Sequence, residues 1–196
     1  MFKRALVFSL AVICSTAAFA FNYKTEWKTA YDLYRGRKYA EAMKAFSELA
    51  DKTDSAGNKY NCLKYAGYSA QKLKKYDEAI AFANKIAEIK NPYMYYSKLR
   101  KQEFLYGGNK YKEVVAEFPV DEILTWPKVL RSEALYRLGL SYYYLKKGEE
   151  AQKAFQACLD NATSDYWKGN ANLRLGYNTR VRLKKPEEAM AFFCAV

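Results

Sequence analysis

A short segment with the same order of apolar, basic and acidic residues recurs along the chain. It reads LKKYDEAIAF at 73–82, LKKGEEAQKAF at 145–155 and LKKPEEAMAF at 183–192. With two weaker copies, the small or apolar residue that follows the acidic residues occupies five equivalent anchor positions: Ala42, Ala79, Val114, Ala151 and Ala189. Successive anchors are 37, 35, 37 and 38 residues apart. A period of about 35 residues is typical of stacked helical hairpins.

Each copy predicts the end of one helix, a turn and the start of a second helix. The helix dipole favours lysines at a helix end and acids at a helix start, and Pro186 suits a first helical position. Twelve residues before the first four anchors stand Ala30, Gly67, Gln102 and Gly139, and in the fifth copy Gly176 lies one residue further back. Four residues after the anchors stand Phe46, Ala83, Phe118, Phe155 and Phe193. Small residues let two helices approach to about 8–10 Å, and the ring lies one turn beyond the anchor on the same face.

The third copy departs from this pattern. Gln102 stands where a small residue is expected, and Pro119 ends the second helix, which is predicted over 112–118. The segment VDEILTW (120–126) predicts a short helical link, and Pro127 then opens a long helix over 127–147. We expect any bend in the array here.

The copies resemble the tetratricopeptide repeat family. The family pattern is a small residue in the first helix and Tyr-x-x-Ala-x-x-x-Phe at the start of the second, and RLGLSYYYLKKGEEAQKAF (137–155) and AGYSAQKLKKYDEAIAF (66–82) match it best. The resemblance implies an all-α fold, a right-handed α-solenoid of about five helix–turn–helix repeats, with approximate limits 23–59, 60–94, 95–131, 132–168 and 169–196. It also implies that the first helices line a concave groove that holds a segment of a partner protein.

The family register places tyrosine and basic side chains in this groove. The predicted partner-binding residues are Trp27, Tyr31, Tyr34, Arg35, Lys64, Tyr68, Lys72, Tyr96, Arg100, Tyr106, Arg137, Tyr143, Tyr177 and Arg180. Tyrosine offers a large contact area and arginine pairs with carboxylates, although packing between repeats is an alternative role for about half of the tyrosines. Tyr31 and Tyr68 stand where the chaperone-binding subset of the family has asparagine, so its carboxylate clamp is not expected.

The charge balance favours an anionic partner. The chain has a formal net charge of +12, and without Lys3 and Arg4 it keeps +10. An acidic protein segment or a membrane surface suits this charge, and an exported protein has little access to nucleic acid. A solvated lysine-rich surface without a specific partner is the alternative.

The chain contains no histidine, so neither a Ser-His-Asp nor a Cys-His set can form. The adjacent carboxylates Glu149-Glu150 and Glu187-Glu188 point apart on a helix, and Gly107-Gly108 lacks the ending of a phosphate-binding loop. No metal-ligand spacing occurs. These absences argue against an enzyme and against a metal or cofactor.

The first twenty residues have the pattern of a secretory signal peptide. MFKR is basic, ALVFSLAVIC is a short apolar run, and Ala18-Phe19-Ala20 precedes a cleavage site. We expect the mature chain at 21–196 to be exported, either periplasmic or secreted. An uncleaved anchor and lipidation of Cys14 are alternatives, and Ile13 beside Cys14 disfavours lipidation.

Three cysteines remain after cleavage: Cys62, Cys158 and Cys194. Each stands among apolar residues in a predicted helix, so we expect buried small side chains. A disulfide between two of these cysteines is an alternative.

These patterns favour a protein–protein interaction scaffold of the bacterial cell envelope. Two alternatives remain: a self-associating structural component, and a factor similar to the outer-membrane assembly lipoproteins, which share first helices of the YRLG type (136–139). Self-association would use the C-terminal end, where AFFCAV leaves Phe192 and Phe193 poorly covered. Peripheral association with a membrane is also open.

Overall fold

The computed structural model describes residues 22–89 and 93–196. The predicted signal peptide, Cys14 and the predicted mature start lie outside these residues. In the described part of the chain there are eleven helices and no strands, which confirms the all-α prediction. The helices are α1 (Tyr23–Arg35), α2 (Tyr39–Lys52), α3 (Ala56–Lys72), α4 (Tyr76–Ala87), α5 (Met94–Gly107), α6 (Tyr111–Glu117), α7 (Val120–Leu124), α8 (Lys128–Tyr144), α9 (Gly148–Asp160), α10 (Asp165–Val181) and α11 (Pro186–Cys194). Over the described ranges, none of them is long and apolar enough to cross a membrane.

The helices form five hairpins that follow one another in a row. Each hairpin has a first helix (α1, α3, α5, α8 or α10) and a second helix (α2, α4, α6, α9 or α11), and α7 links the third hairpin to the fourth. The second helix of one hairpin packs on the first helix of the next, as α2 does on α3 and α9 does on α10. The predicted repeat limits at 60, 95, 132 and 169 fall just inside the start of a first helix.

The anchor positions are equivalent in the structure. Their side chains are fully buried between the two helices of each hairpin: Ala42, Ala79, Val114, Ala151 and Ala189. The predicted contact between a glycine and a phenylalanine is present in two hairpins. A Cβ atom at Gly139 would lie 2.5 Å from the Phe155 ring, and one at Gly176 would lie 2.5 Å from the Phe193 ring. In the second hairpin, where Ala83 replaces the ring, Phe104 of α5 packs over Gly67.

The turn between the two helices of each hairpin has a recurring geometry. The second-to-last residue of the turn adopts a left-handed conformation, with φ between 57° and 62°. These residues are Arg37, Lys74, Asn109, Lys146 and Lys184. This conformation costs an L-residue other than glycine about 1–2 kcal/mol. In the first four turns the next residue donates its N–H to the carbonyl five residues back, as Lys147 does to Tyr142 at 3.0 Å. These bonds satisfy carbonyls at the end of the first helix.

The one-residue slip in the fifth copy lies in its turn. Three residues separate the helices in the other four hairpins, whereas four residues separate α10 from α11. The extra residue displaces the turn and leaves the helix contacts intact, because Gly176 still faces Phe193 as Gly139 faces Phe155.

The third hairpin is short, as Pro119 and Pro127 predicted. Its second helix α6 has seven residues, and α8 begins at Lys128 with Pro127 at its N-cap. Trp126, Phe118 and Ile123 fill the space beside α8, and Trp126 is completely buried. Its Nε1 donates to a Glu122 carboxylate oxygen at 3.1 Å. A buried ring therefore replaces the missing turns of the second helix.

Gln102 is accommodated by hydrogen bonds instead of close packing. Its side chain is fully buried, its Nε2 donates to the carbonyl of Ala134 at 3.1 Å, and its Oε1 accepts from Arg137 at 3.4 Å. A buried amide costs little when its polar atoms are bonded, so the polar residue ties α5 to α8.

The C-terminal rings are better covered than the sequence predicted. Phe193 packs on Gly176 and lies 5.4 Å from the Tyr177 ring, and Phe192 packs against a core cluster that includes Leu140. Both are half-buried, so the expectation of poorly covered rings is wrong. The reason is that α11 folds back on α10, and the amide of Asn172 donates to the Ala195 carbonyl at 2.9 Å.

The three cysteines are free thiols, and two of them are buried as predicted. Cys62 lies 3.7 Å from the Tyr23 hydroxyl, and Cys158 donates to the Ser132 carbonyl at 3.2 Å. Cys194 is exposed at the end of α11, where the prediction of burial is wrong, because no further helix covers that face in the described structure.

Only Cys194 of these three thiols should react quickly with Ellman's reagent near pH 8 in the folded chain. Burial raises the pKa of Cys62 to about 11 and that of Cys158 to about 12, so little thiolate forms there. In denaturant Cys62, Cys158 and Cys194 should all react. Fast reaction of Cys158 in the folded state would contradict this packing.

Candidate functional site

The surface formed by the first helices is the inner side of the array. Successive first helices α3, α5, α8 and α10 contact one another, and no successive pair of second helices makes a comparable contact in the described structure. A stack that is closer on one side curves toward that side. We refer to this inner side as the first-helix surface.

At its N-terminal end, aromatic rings pack around Tyr65. The rings of Trp27, Tyr31 and Tyr34 each meet Tyr65 edge-on, at centroid distances of 5.4, 5.5 and 5.4 Å. Trp27 also lies 5.1 Å from the buried Phe46. These predicted residues therefore hold α1 to α3, and their partly exposed edges remain on the surface.

Lys64 continues this aromatic region. Its ammonium lies 5.3 Å from the Tyr60 ring and 5.2 Å from the Tyr65 ring, distances suited to cation–π attraction. Burial, and after it the Arg100 charge, lower the pKa of Lys64. Tyr60 in turn contacts the predicted residue Tyr96 at 5.7 Å.

In the centre, the predicted cations are already paired within the protein. Arg100 binds the Tyr68 hydroxyl, the Glu103 carboxylate and, at 3.4 Å, the Glu133 carboxylate. Glu133 also pairs with Arg137. The side chains of Arg100 and Arg137 are only 11% and 13% exposed. These arginines therefore join α5 to α8, and their charge is largely neutralised.

Where the first helices lead into the hairpin turns, tyrosines from three helices stack together. Tyr111 and Tyr144 lie face to face at 4.9 Å, and Tyr106 lies 6.3 Å from Tyr144. Burial, and after it the neighbouring Tyr144, raise the pKa of Tyr106 far above its usual value, so the Tyr106 hydroxyl stays neutral. Tyr143 instead packs under Arg182, whose guanidinium lies 4.3 Å from its ring.

Arg174 differs from the other two inner arginines. It lies two residues before Gly176, as Arg137 lies two before Gly139, and Arg100, Arg137 and Arg174 are spaced 37 residues apart. In the described residues no carboxylate lies within 4 Å of its guanidinium, whereas Arg100 and Arg137 share Glu133.

In the part of the chain that the structure describes, Arg174 lacks a carboxylate partner because the repeats differ at the position four residues before the arginine. Glu133 stands four residues before Arg137, and Asn170 stands four residues before Arg174. The Asn170 amide donates to the Tyr166 carbonyl at 2.8 Å, so it points into its own helix. Arg174 was not among the predicted groove residues, which in this helix are Tyr177 and Arg180, although the 37-residue spacing of the three arginines is visible in the sequence.

Arg174 lines a small cavity at the C-terminal end of the first-helix surface. The cavity has a volume of about 130 Å³, and its walls are Tyr143, Phe155, Arg174 and Tyr177. The Arg174 Nε donates to the Tyr136 hydroxyl at 2.9 Å, which fixes the guanidinium. Because Nε alone is used in this bond, the terminal nitrogens are available to a carboxylate.

The remaining predicted residues lie near the ends of first helices. Arg35, Lys72 and Arg180 are exposed and form no ion pair in the described structure, and the Arg180 guanidinium lies 5.6 Å from the Tyr177 ring. The structure thus places the predicted set on the first helices but divides it into aromatic packing, an internally paired centre and unpaired cations near the helix ends.

A wider depression of about 500 Å³ between α2, α3 and α4 is lined by acids and lysines together, among them Asp51, Lys59 and Glu88, so it has no dominant charge. Across residues 22–89 and 93–196, no three side chains of the metal-ligating types come together.

Comparisons with known proteins agree with this architecture. The family model of the tetratricopeptide repeat matches residues 133–163, which span most of the fourth hairpin. Among solved structures, MamA 41-end from Desulfovibrio magneticus RS-1 is 23% identical, with a TM-score of 0.60 over 88% of this chain and 91% of that chain. A double mutant of MamA RS-1 gives 0.61 at 23% identity over the same shares, and MamA MSR-1 gives 0.59 at 16% over 88% and 93%.

No curated protein matches the chain. At these identities the solved structures establish the fold, and the family model establishes the type of repeat at residues 133–163. The chain thus has the all-α repeat fold of these structures and contains a tetratricopeptide repeat at residues 133–163.

Proposed function

We propose that the chain is a protein–protein interaction scaffold of the bacterial cell envelope that holds a segment of a partner protein on its first-helix surface. The envelope location rests on the signal-like first twenty residues. The binding role rests on the repeat type, since solenoids of this kind present an extended inner surface to partners.

The binding proposal depends chiefly on Arg174, which has no carboxylate partner in the described residues. A half-buried arginine without a carboxylate is a favourable site for an acidic side chain, because a charge-assisted bond to guanidinium is strong and bidentate. The Tyr143 and Tyr177 rings beside it offer apolar contact to the residues that flank this acid. The partner segment is therefore acidic at the position that reaches Arg174, and aromatic contacts extend from there toward Trp27.

The partner can be captured by a photo-crosslinking residue placed at Tyr177, with the same residue at Lys44, an exposed position on a second helix, as the control. We expect a crosslinked product with a partner protein from position 177 in the cell envelope and none from position 44. A purified partner is then titrated against Arg174→Gln, which should weaken binding about tenfold or more, since it removes a charged hydrogen bond.

Arg180→Gln is the matched control, because Arg180 is an exposed cation on the same helix. It should change the dissociation constant by less than about threefold, as expected for a rim charge. An equal loss of affinity in the two variants would show that Arg174 contributes only through the net charge of the chain. A product that consists only of a second copy of the chain would favour self-association instead.

A further inference from the structure

The five hairpin turns lie side by side along one edge of the array, here called the turn edge. Three contacts join neighbouring turns. Lys110 pairs with Asp77 at 2.7 Å, Tyr111 stacks on Tyr144, and a Cβ at Gly148 would lie 3.0 Å from the Arg182 Cβ. The first helices all run in the same direction, so every turn that follows one emerges at this edge.

Each turn contains two neighbouring polar residues with different roles. The second is a lysine at the N-cap of the second helix, and four of these lysines pair with the acid three residues later: Lys75 with Glu78, Lys110 with Glu113, Lys147 with Glu150 and Lys185 with Glu188. The first is the left-handed residue. At this position Arg37, Lys74, Lys146 and Lys184 are exposed and form no ion pair in the described residues.

The fold does not need a side chain at the left-handed positions. Glycine adopts this conformation without strain and is the usual residue there. Four of the five positions nevertheless hold a long cationic side chain. Arg35, Lys38, Lys72 and Arg180 flank the row and are also unpaired, whereas the unpaired acids at this edge are Glu41, Glu149 and Glu187. Cations therefore outnumber acids along the row.

We infer that the turn edge docks on an anionic phospholipid surface. The cations form a row along the array instead of converging on one point, and long flexible side chains suit a fluid layer of headgroups that can rearrange beneath them. Each lysine or arginine held near an anionic bilayer strengthens binding about fivefold. In this orientation the first-helix surface stays clear of the lipid, so a bound partner segment would be held beside the membrane.

Vesicle co-sedimentation tests this inference. The exported form should bind vesicles of phosphatidylglycerol mixed with phosphatidylcholine, should not bind phosphatidylcholine alone, and should dissociate as salt rises. The variant carrying Arg37→Gly, Lys74→Gly, Lys146→Gly and Lys184→Gly should lose about a hundredfold or more of its affinity. Glycine suits the left-handed conformation, so this variant should stay folded, which circular dichroism checks.

The matched control removes four cations from the opposite edge. Lys24, Lys59, Lys85 and Lys128 lie at that edge without ion pairs, and their replacement by glutamine should change vesicle affinity by less than about threefold. Equal losses in the two variants would overturn the inference, because net charge alone would then explain binding. Absence of binding to the anionic vesicles, or binding to a DNA duplex in their place, would also overturn it. None of these results depends on Arg174 or on a partner protein.

Discussion

Replacing Trp126 by alanine is expected to lower the free energy of unfolding by about 4 kcal/mol, the cost of deleting a large buried ring. Trp126 is fully buried and meets Phe118 edge-on at 5.9 Å, in the space left by the short helix α6. Its loss also removes a hydrogen bond to Glu122. The cavity would open between the third and fourth hairpins, so their coupling should weaken.

Urea unfolding followed by circular dichroism measures both effects. In a linear array stability is the sum of repeats and of junctions between neighbours, so a weakened junction should broaden the transition or split it in two. Trp126→Phe keeps most of the ring and should cost about half as much. A single sharp transition with a loss below about 1 kcal/mol would show that Trp126 does not hold this junction.

The second large effect is expected at Gly139. A Cβ there would lie 2.5 Å from two atoms of the Phe155 ring, which is itself fully buried. Gly139→Ala should therefore destabilise the chain by about 2 kcal/mol, because the ring must move within a packed core. This cost exceeds the gain of about 1 kcal/mol that alanine normally brings to a helix interior.

Gly169 provides the matched control on another first helix. A Cβ at Gly169 would meet nothing closer than 3.9 Å, so Gly169→Ala should stabilise the chain by up to about 1 kcal/mol. The clash at Gly139 should also disappear when the ring is gone. The double variant with Phe155→Ala should then cost less than the two single changes added together, with a coupling of about 1–2 kcal/mol. Additive losses would contradict direct contact.

The helical hairpins could be predicted because their signals are local and repeated. The anchors, the lysine-to-acid turns and Pro119 each act within a few residues, and the structure has the corresponding helices within a few residues of the predicted bounds. The predicted helix over 127–147 ends earlier, at Tyr144, because Lys146 takes the left-handed conformation of the turn.

Which arginines of the candidate site are already paired with carboxylates could not be predicted in the same way. The pairing of the inner arginines depends on contacts within a helix and between hairpins together, since Glu133 pairs with Arg137 in its own helix and with Arg100 across 33 positions of the chain. The sequence therefore predicted Arg100 and Arg137 on the first-helix surface without indicating that they are neutralised. Arg174 was recognisable only by comparing the residue four positions earlier in two repeats, which is glutamate in one and asparagine in the other.

The row of hairpins has a mechanical consequence. Because the principal helix contacts join each hairpin only to those beside it, tension applied to the two ends of the chain is carried by every junction in series. Such a chain should yield in steps under load, releasing one hairpin at a time from an end. A scaffold built in this way could lengthen under strain and shorten again while its remaining hairpins keep their shape.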